Sequence, residues 1–303
     1  MLALGGFMEK IIKKVAAIHD LSGFGRSSLT NIIPILSTMG IQVCPLPTAI
    51  LSTHTGGFTD FSFIDLTDNM EKMMDHWSKL DLEFDCIYSG FLGSHKQIDI
   101  VSRFIDRFGH KNNLVVIDPV LGDSGELYST MGCEMVEEMK KLITKADIIT
   151  PNFTEVCLLL DKEYVENIDE EIVKNYLIKL ANMGPKIVIA TSVPENETIL
   201  NEKYSNVIAY DKENNVFWKI RCKYIPASYP GTGDCYTSVV IGSLLQGDSL
   251  PIAIDRGTQF ITQCIRASYG FKYDTREGIL LERMLNILNM PVISSSYEIL
   301  NNK

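Results

Sequence analysis

At 303 residues, with 46% hydrophobic and 22% charged side chains, the chain has the composition of a globular protein able to bury a sizeable core. A formal net charge of −10 argues against nucleic acid or an anionic membrane as the main partner, yet leaves room for an anionic substrate held by local N–H groups. Seven scattered cysteines without a Cys-x-x-Cys pair read as reduced thiols, and no run reaches the roughly 18 apolar residues of a spanning helix, so a cytoplasmic protein is expected.

In chain order, residues 1–14 read as a tail. Its apolar start precedes Lys10, Lys13 and Lys14, the wrong order for a signal peptide, and Met8 is a candidate start. Residues 15–18 predict a short strand ending in His19-Asp20 and a Gly/Ser-rich turn, 29–39 a helix, and 41–50 an extended run interrupted by Pro45 and Pro47. A helix follows over 69–80, where Met70, Met73, Met74 and Trp77 share one core-directed face. Strands are predicted at 84–88, 114–117, 147–150 and 186–190, with helices through about 108, over 134–143 and over 169–183. Residues 207–210 and 216–220 read as an antiparallel pair, and helices over 233–245, 251–268 and 275–288 close the pattern.

Short apolar strands alternating with helices predict an α/β fold with a mainly parallel sheet covered on both faces. One domain over 15–290 is expected, with 291–303 as a C-terminal tail. Ligands of such sheets gather at the C-terminal strand ends, which here carry Asp20, Gly90, Asp118, Thr150 and Thr191. There is no P-loop pattern. Gly23-Phe24-Gly25-Arg26-Ser27-Ser28 begins like a dinucleotide fingerprint and lacks its last glycine, and the five histidines show no metal-ligand spacing.

Three motifs at strand-to-helix junctions reinforce one another. The first is Asp118-Pro119-Val120-Leu121-Gly122-Asp123. The second is Thr150-Pro151-Asn152-Phe153-Thr154-Glu155, which also fits a helix capping box. The third is Gly231-Thr232-Gly233-Asp234, where two glycines and a helix start can gather N–H groups around an anion beside a carboxylate. With Thr48, Ser52-Thr53-His54-Thr55 and Ser89-Gly90-Phe91-Leu92-Gly93-Ser94, these motifs resemble the ribokinase-like superfamily, and within it the pyridoxal/pyridoxamine (vitamin B6) kinases, over nearly the whole chain.

The resemblance implies a three-layer α/β/α fold without a separate lid domain, and ATP-dependent phosphorylation of the 5′-hydroxymethyl group of a B6 vitamer. It implies Asp234 as general base and Gly231, Thr232 and Gly233 as the anion hole. Asp118 and Glu155 would hold Mg²⁺. Asp123, Thr150, Asn152 and Thr191 would line the ATP phosphates, and 121–130 would be a flap over them. Thr48 and Phe91 would contact the pyridine ring. The first loop, where the family has serine, offers Asp20 or Ser22 to the substrate. A monovalent cation such as K⁺ and a homodimer are compatible with the resemblance. The rival within the superfamily is a hydroxymethylpyrimidine kinase, whose Asp-x-Ser-Gly opening Asp20-Leu21-Ser22-Gly23 echoes; those enzymes carry cysteine where this chain has Asp234. The rival of another class is a catalytically silent B6-binding protein, which would need neither Asp234, Gly233 nor Glu155.

Overall fold

The computed structural model describes residues 12–195, 203–290 and 295–300. Strand and helix alternate as β1 (Lys14–Phe24), α1 (Leu29–Thr38), β2 (Gln42–Thr53), a short β3 (Phe63–Asp65), α2 (Thr67–Lys79), β4 (Cys86–Ser89), α3 (His95–Phe108) and β5 (Leu114–Ile117). A small hairpin, β6 (Gly122–Asp123) and β7 (Glu126–Leu127), precedes α4 (Cys133–Ile143), β8 (Ile148–Ile149), α5 (Phe153–Leu159) and α6 (Glu170–Met183). The chain continues through β9 (Ile187–Pro194), β10 (Tyr204–Asp211), β11 (Val216–Lys223), α7 (Thr232–Gln246), α8 (Leu250–Tyr269) and β12 (Tyr297–Leu300).

Among the described residues, ten strands form one sheet in the order β12-β11-β10-β9-β8-β5-β4-β1-β2-β3. The run from β9 to β2 is parallel, and the outer strands pair antiparallel. Alternation along each strand feeds two cores. Ala16, Ile18, Ile87 and Ile117 face a layer containing Met70, Phe104, Val136 and Leu177 of α2, α3, α4 and α6. Val15, Ala17, Tyr88 and Val116 face Ile32, Val239 and Phe260 of α1, α7 and α8. This is the expected three-layer α/β/α architecture. Among the described residues no helix is long and apolar enough to cross a membrane.

Three expectations change. First, β1 does not stop at residue 18. It pairs with β2 as far as Phe24↔Thr53, across a bulge where Asp20 faces the extra residue of β2 between His19↔Pro47 and Leu21↔Ile50. Ladder hydrogen bonds to a neighbouring strand outweigh the local turn propensity of Ser22 and Gly23 there. Second, residues 275–288 are not an α-helix but three 3₁₀ turns, Thr275–Glu277, Leu281–Arg283 and Leu285–Asn289. Gly278 at φ 82° breaks the run, and Ile279 and Leu281, two residues apart, both enter the core, which one helical face cannot arrange. Third, the expected C-terminal tail contains β12, which completes the sheet against β11. The segment expected as a flap contains the β6–β7 hairpin, whose two-residue loop Ser124-Gly125 has positive φ at both positions. Residues 1–11, including the candidate start Met8, lie outside the described residues.

Candidate active site

The strand ends of β1, β4, β5 and β8 and the first turn of α7 meet at one edge of the sheet. Gly231 caps α7 in the left-handed region, at φ 76°. A Cβ there would stand 2.4 Å from the Arg26 carbonyl oxygen and 2.8 Å from Ser27 Cα, so only glycine lets the start of α1 approach the start of α7. The Asn31 amide closes this junction by donating to the Gly231 carbonyl at 3.1 Å. Thr232, Gly233 and Asp234 form the first turn of α7, so their N–H groups have no intrahelical acceptor and the positive helix end points outward.

Asp234 stands in that turn with its side chain 13% exposed. Its Oδ2 accepts from the Ser28 backbone N–H at 2.7 Å, and its Oδ1 lies 3.8 Å from His19 Nδ1. The latter is not an ion pair: burial pushes the His19 ring down to about 3, so it is neutral, and it packs edge-on against Tyr88 at 4.3 Å. Burial lifts the Asp234 carboxyl to about 7; the Ser28 N–H opposes the rise and the Asp20 charge adds to it. A carboxyl poised near neutrality suits a general base.

Asp20, buried, accepts from Ser28 Oγ at 2.5 Å and from Ser22 Oγ at 3.2 Å. Burial raises its proton affinity, and the two hydroxyls pull it back. Across the bulge, Thr48 is buried with an unpartnered Oγ1, while its carbonyl accepts from Gln97 Nε2 at 3.0 Å. Ser89 at the end of β4 also has a buried, unpartnered hydroxyl. Phe91 follows β4 half-buried, packed against the core.

On the other side of α7, Asp118 Oδ2 lies 3.7 Å from where a Cβ on Gly233 would be. Burial drives the Asp118 proton affinity well up, the Asp234 charge adds to this, and the Thr150 hydroxyl opposes it. Thr237 of α7 donates in turn to Thr150 Oγ1 at 3.0 Å. Glu155 and Asn152 form the capping box of α5: Glu155 N–H donates to Asn152 Oδ1 at 3.0 Å and Asn152 N–H to Glu155 Oε2 at 2.8 Å. Glu155 Oε1 also accepts from Leu121 N–H at 3.0 Å, and Asn152 Nδ2 donates to the Gly122 carbonyl at 2.8 Å. The box therefore holds the 121–122 segment beside Asp118. Burial and the Asp118 charge raise the proton affinity of Glu155.

Asp20, Asp118, Glu155 and Asp234 are thus gathered with raised proton affinities. Among the described residues no lysine or arginine forms an ion pair with them. Such an imbalance fits cationic ligands. Three metal-binding groups do not form a ready cage among the described residues. Two carboxylates, Asp118 and Glu155, fit a Mg²⁺ ion that arrives with phosphate oxygens and keeps its waters.

The remaining sequence-derived residues are more peripheral. Asp123 lies exposed on the hairpin, its Oδ1 accepting from Ser124 N–H at 2.8 Å. Thr191 on β9 forms a parallel bridge with Asn152, and its N–H donates to the Pro151 carbonyl at 2.9 Å. Ser22 touches Asp20 and lies fully buried behind it. Sequence reasoning missed Ser28, His19 and Asn31. The signal was there in the broken Gly-x-Gly pattern of residues 23–28, which is a loop made to fit against another helix.

A profile of the phosphomethylpyrimidine kinase family matches residues 33–279. A Bacteroides thetaiotaomicron protein described as a phosphomethylpyrimidine kinase, in an orthorhombic crystal form with pyridoxal, is 56% identical, covers 95% of this chain and 100% of its own, and superposes with a TM-score of 0.91. The pyridoxal kinase of Lactobacillus plantarum is 29% identical over 91% of this chain and 96% of its own, with a TM-score of 0.82. A pyridoxal kinase of Burkholderia lata is 26% identical over 267 residues, 85% of this chain and 90% of its own length. With its sheet, its glycine-capped α7 and its buried carboxylates, the chain belongs to the phosphomethylpyrimidine kinase family of the ribokinase-like superfamily, alongside the pyridoxal kinases.

Proposed function

We infer that the protein is an ATP-dependent kinase of B6 vitamers, converting the 5′-hydroxymethyl group of pyridoxal, pyridoxine or pyridoxamine to its 5′-phosphate. The observation that carries this is Asp234, a carboxyl tuned to about 7 in the first turn of α7, where N–H groups face outward for an anion. Asp234 takes the hydroxyl proton as the oxygen bonds to the γ-phosphorus of ATP and the bond from that phosphorus to the β,γ-bridging oxygen breaks, releasing ADP. The N–H groups of Thr232 and Gly233 receive the charge of the transferring phosphoryl group, which is the main protein contribution to such reactions. Asp118 and Glu155 would hold Mg²⁺, which when bound would offset phosphate charge. Thr150 positions Asp118 by its hydroxyl, and the Asn152 box keeps Glu155 and the hairpin in place. Asp20, with Thr48 and Phe91, forms the vitamer side. A Mg²⁺ requirement, a role for a monovalent cation such as K⁺ and a homodimer belong to the same proposal. So does a cytoplasmic location, which the seven free thiols support.

The second reading, a hydroxymethylpyrimidine kinase, is favoured by the family profile. The pyridoxal-containing relative at 56% identity supports the first. The test is purified protein with ATP, Mg²⁺, each of three vitamers and hydroxymethylpyrimidine, following ADP and the mass of the product. A vitamer 5′-phosphate is expected at the highest kcat/KM. Turnover of hydroxymethylpyrimidine alone establishes the second reading, and turnover of none leaves the silent binder.

A further inference from the structure

Ser28 is the most unusual backbone position of the site. It precedes α1 with φ 49° and ψ −131°, a region where a Cβ crowds the backbone and which glycine occupies readily. Serine is a favoured helix N-cap, yet this one makes no side-chain cap bond to α1. Its hydroxyl donates to Asp20 Oδ1 at 2.5 Å, and its N–H donates to Asp234 Oδ2 at 2.7 Å. One residue therefore contacts both the substrate-side carboxylate and the base, through its two donors.

The surroundings over-determine that conformation. Arg26 N–H and Nη1 both donate to the Glu277 carbonyl, at 3.0 and 3.1 Å, and fasten the loop to the first 3₁₀ turn. Thr30 Oγ1 donates to the Ser27 carbonyl at 2.7 Å. Gly231 presses on Arg26 and Ser27 from the other side. Strain that persists under such bracing is a mark of a functional position.

We propose that Ser28 is a positioning residue for phosphoryl transfer, fixing Asp234 relative to Asp20 so that an acceptor held at Asp20 presents its hydroxyl to the base. The proposal rests on the assignment of Asp234 as base and Asp20 as substrate contact. Its mechanical content is that backbone strain at 28 is exchanged for alignment of two carboxylates that belong to different elements, β1 and α7.

The experiment compares Ser28→Gly and Ser28→Ala with the wild type, on whichever acceptor the wild type phosphorylates best, reading Tm, kcat and the KM for ATP. Ser28→Gly removes the crowded Cβ, so Tm is expected to hold or rise. Its kcat is expected to fall by about 10²-fold, the scale of a small misalignment, with KM for ATP unchanged. Ser28→Ala keeps the strain and loses the tie to Asp20, so kcat falls without a gain in Tm. Combining Ser28→Ala with Asp20→Asn should cost little more than the larger single loss. Wild-type kcat in Ser28→Gly and Ser28→Ala, or losses that track Tm across the series, overturns the proposal. Absence of any kinase turnover in the wild type instead overturns the functional reading on which it rests.

Discussion

Replacing Asp234 by asparagine should remove turnover and make the apoprotein more stable. Burial raises the Asp234 carboxyl from 3.8 to about 7. A carboxyl with a raised folded pKa binds its proton more tightly in the native state. Its contribution is favourable below the unfolded value and is lost as pH climbs towards the folded one. With about 1.4 kcal/mol per pH unit of difference, the carboxyl lowers stability relative to its protonated form by about 4 kcal/mol at pH 8, where the native group must ionise, and by about 1.5 kcal/mol at pH 5, where only the unfolded state ionises. Asparagine avoids that cost and still offers an oxygen to the Ser28 N–H, whose stabilisation of the charged form is already contained in the value of about 7. The variant should therefore exceed the wild type by about 4 kcal/mol at pH 8 and by about 1.5 kcal/mol at pH 5. Urea unfolding at both pH values in metal-free buffer measures the difference. Loss of the base should lower kcat by about 10²–10⁴-fold while largely sparing ATP binding. Equal stability at pH 8, or the same gain at both pH values, would refute the desolvation argument, and retained turnover would remove Asp234 as base.

Asp20→Ser should shift relative kcat/KM from pyridoxamine towards pyridoxal, because a carboxylate supported by Ser22 and Ser28 favours a positively charged nitrogen over a neutral aldehyde; an unchanged ratio counts against that role. Glu155→Gln leaves an amide where two N–H donors, from Leu121 and Asn152, need acceptors, so stability should drop by about 1–3 kcal/mol and the Mg²⁺ concentration for half-maximal rate should rise. A variant with wild-type stability and Mg²⁺ dependence would show that neither the capping box nor the metal side relies on that charge.

Much of the fold was legible because its periodicities are local. Runs such as Leu114–Ile117, apolar on both faces, announce a covered parallel strand, and the stripe of Met70, Met74 and Trp77 announces a packed helix. The 275–288 segment was misread because its burial follows contacts with distant elements: Ile279 and Leu281 are placed by the core they enter, not by a helical repeat. The extension of β1 through Ser22 and Gly23 likewise depends on β2 supplying the ladder.

The site divides in the same way. Gly231-Thr232-Gly233-Asp234 was recognisable from the chain alone, since a glycine in the left-handed region, free N–H groups and an acidic residue in the first turn of a helix are properties of consecutive residues. The capping box of Asn152 and Glu155 was equally visible. Their use could not be read there. A carboxyl titrates near 7 only when other elements remove it from water, and β1, α1 and β5 do this by bringing His19, Asp20, Ser28 and Asp118 around it. Residue types and turns were thus determined by sequence, whereas the proton affinity of Asp234, and the strained serine that joins two carboxylates, were decided by which distant segments the folded sheet brings together.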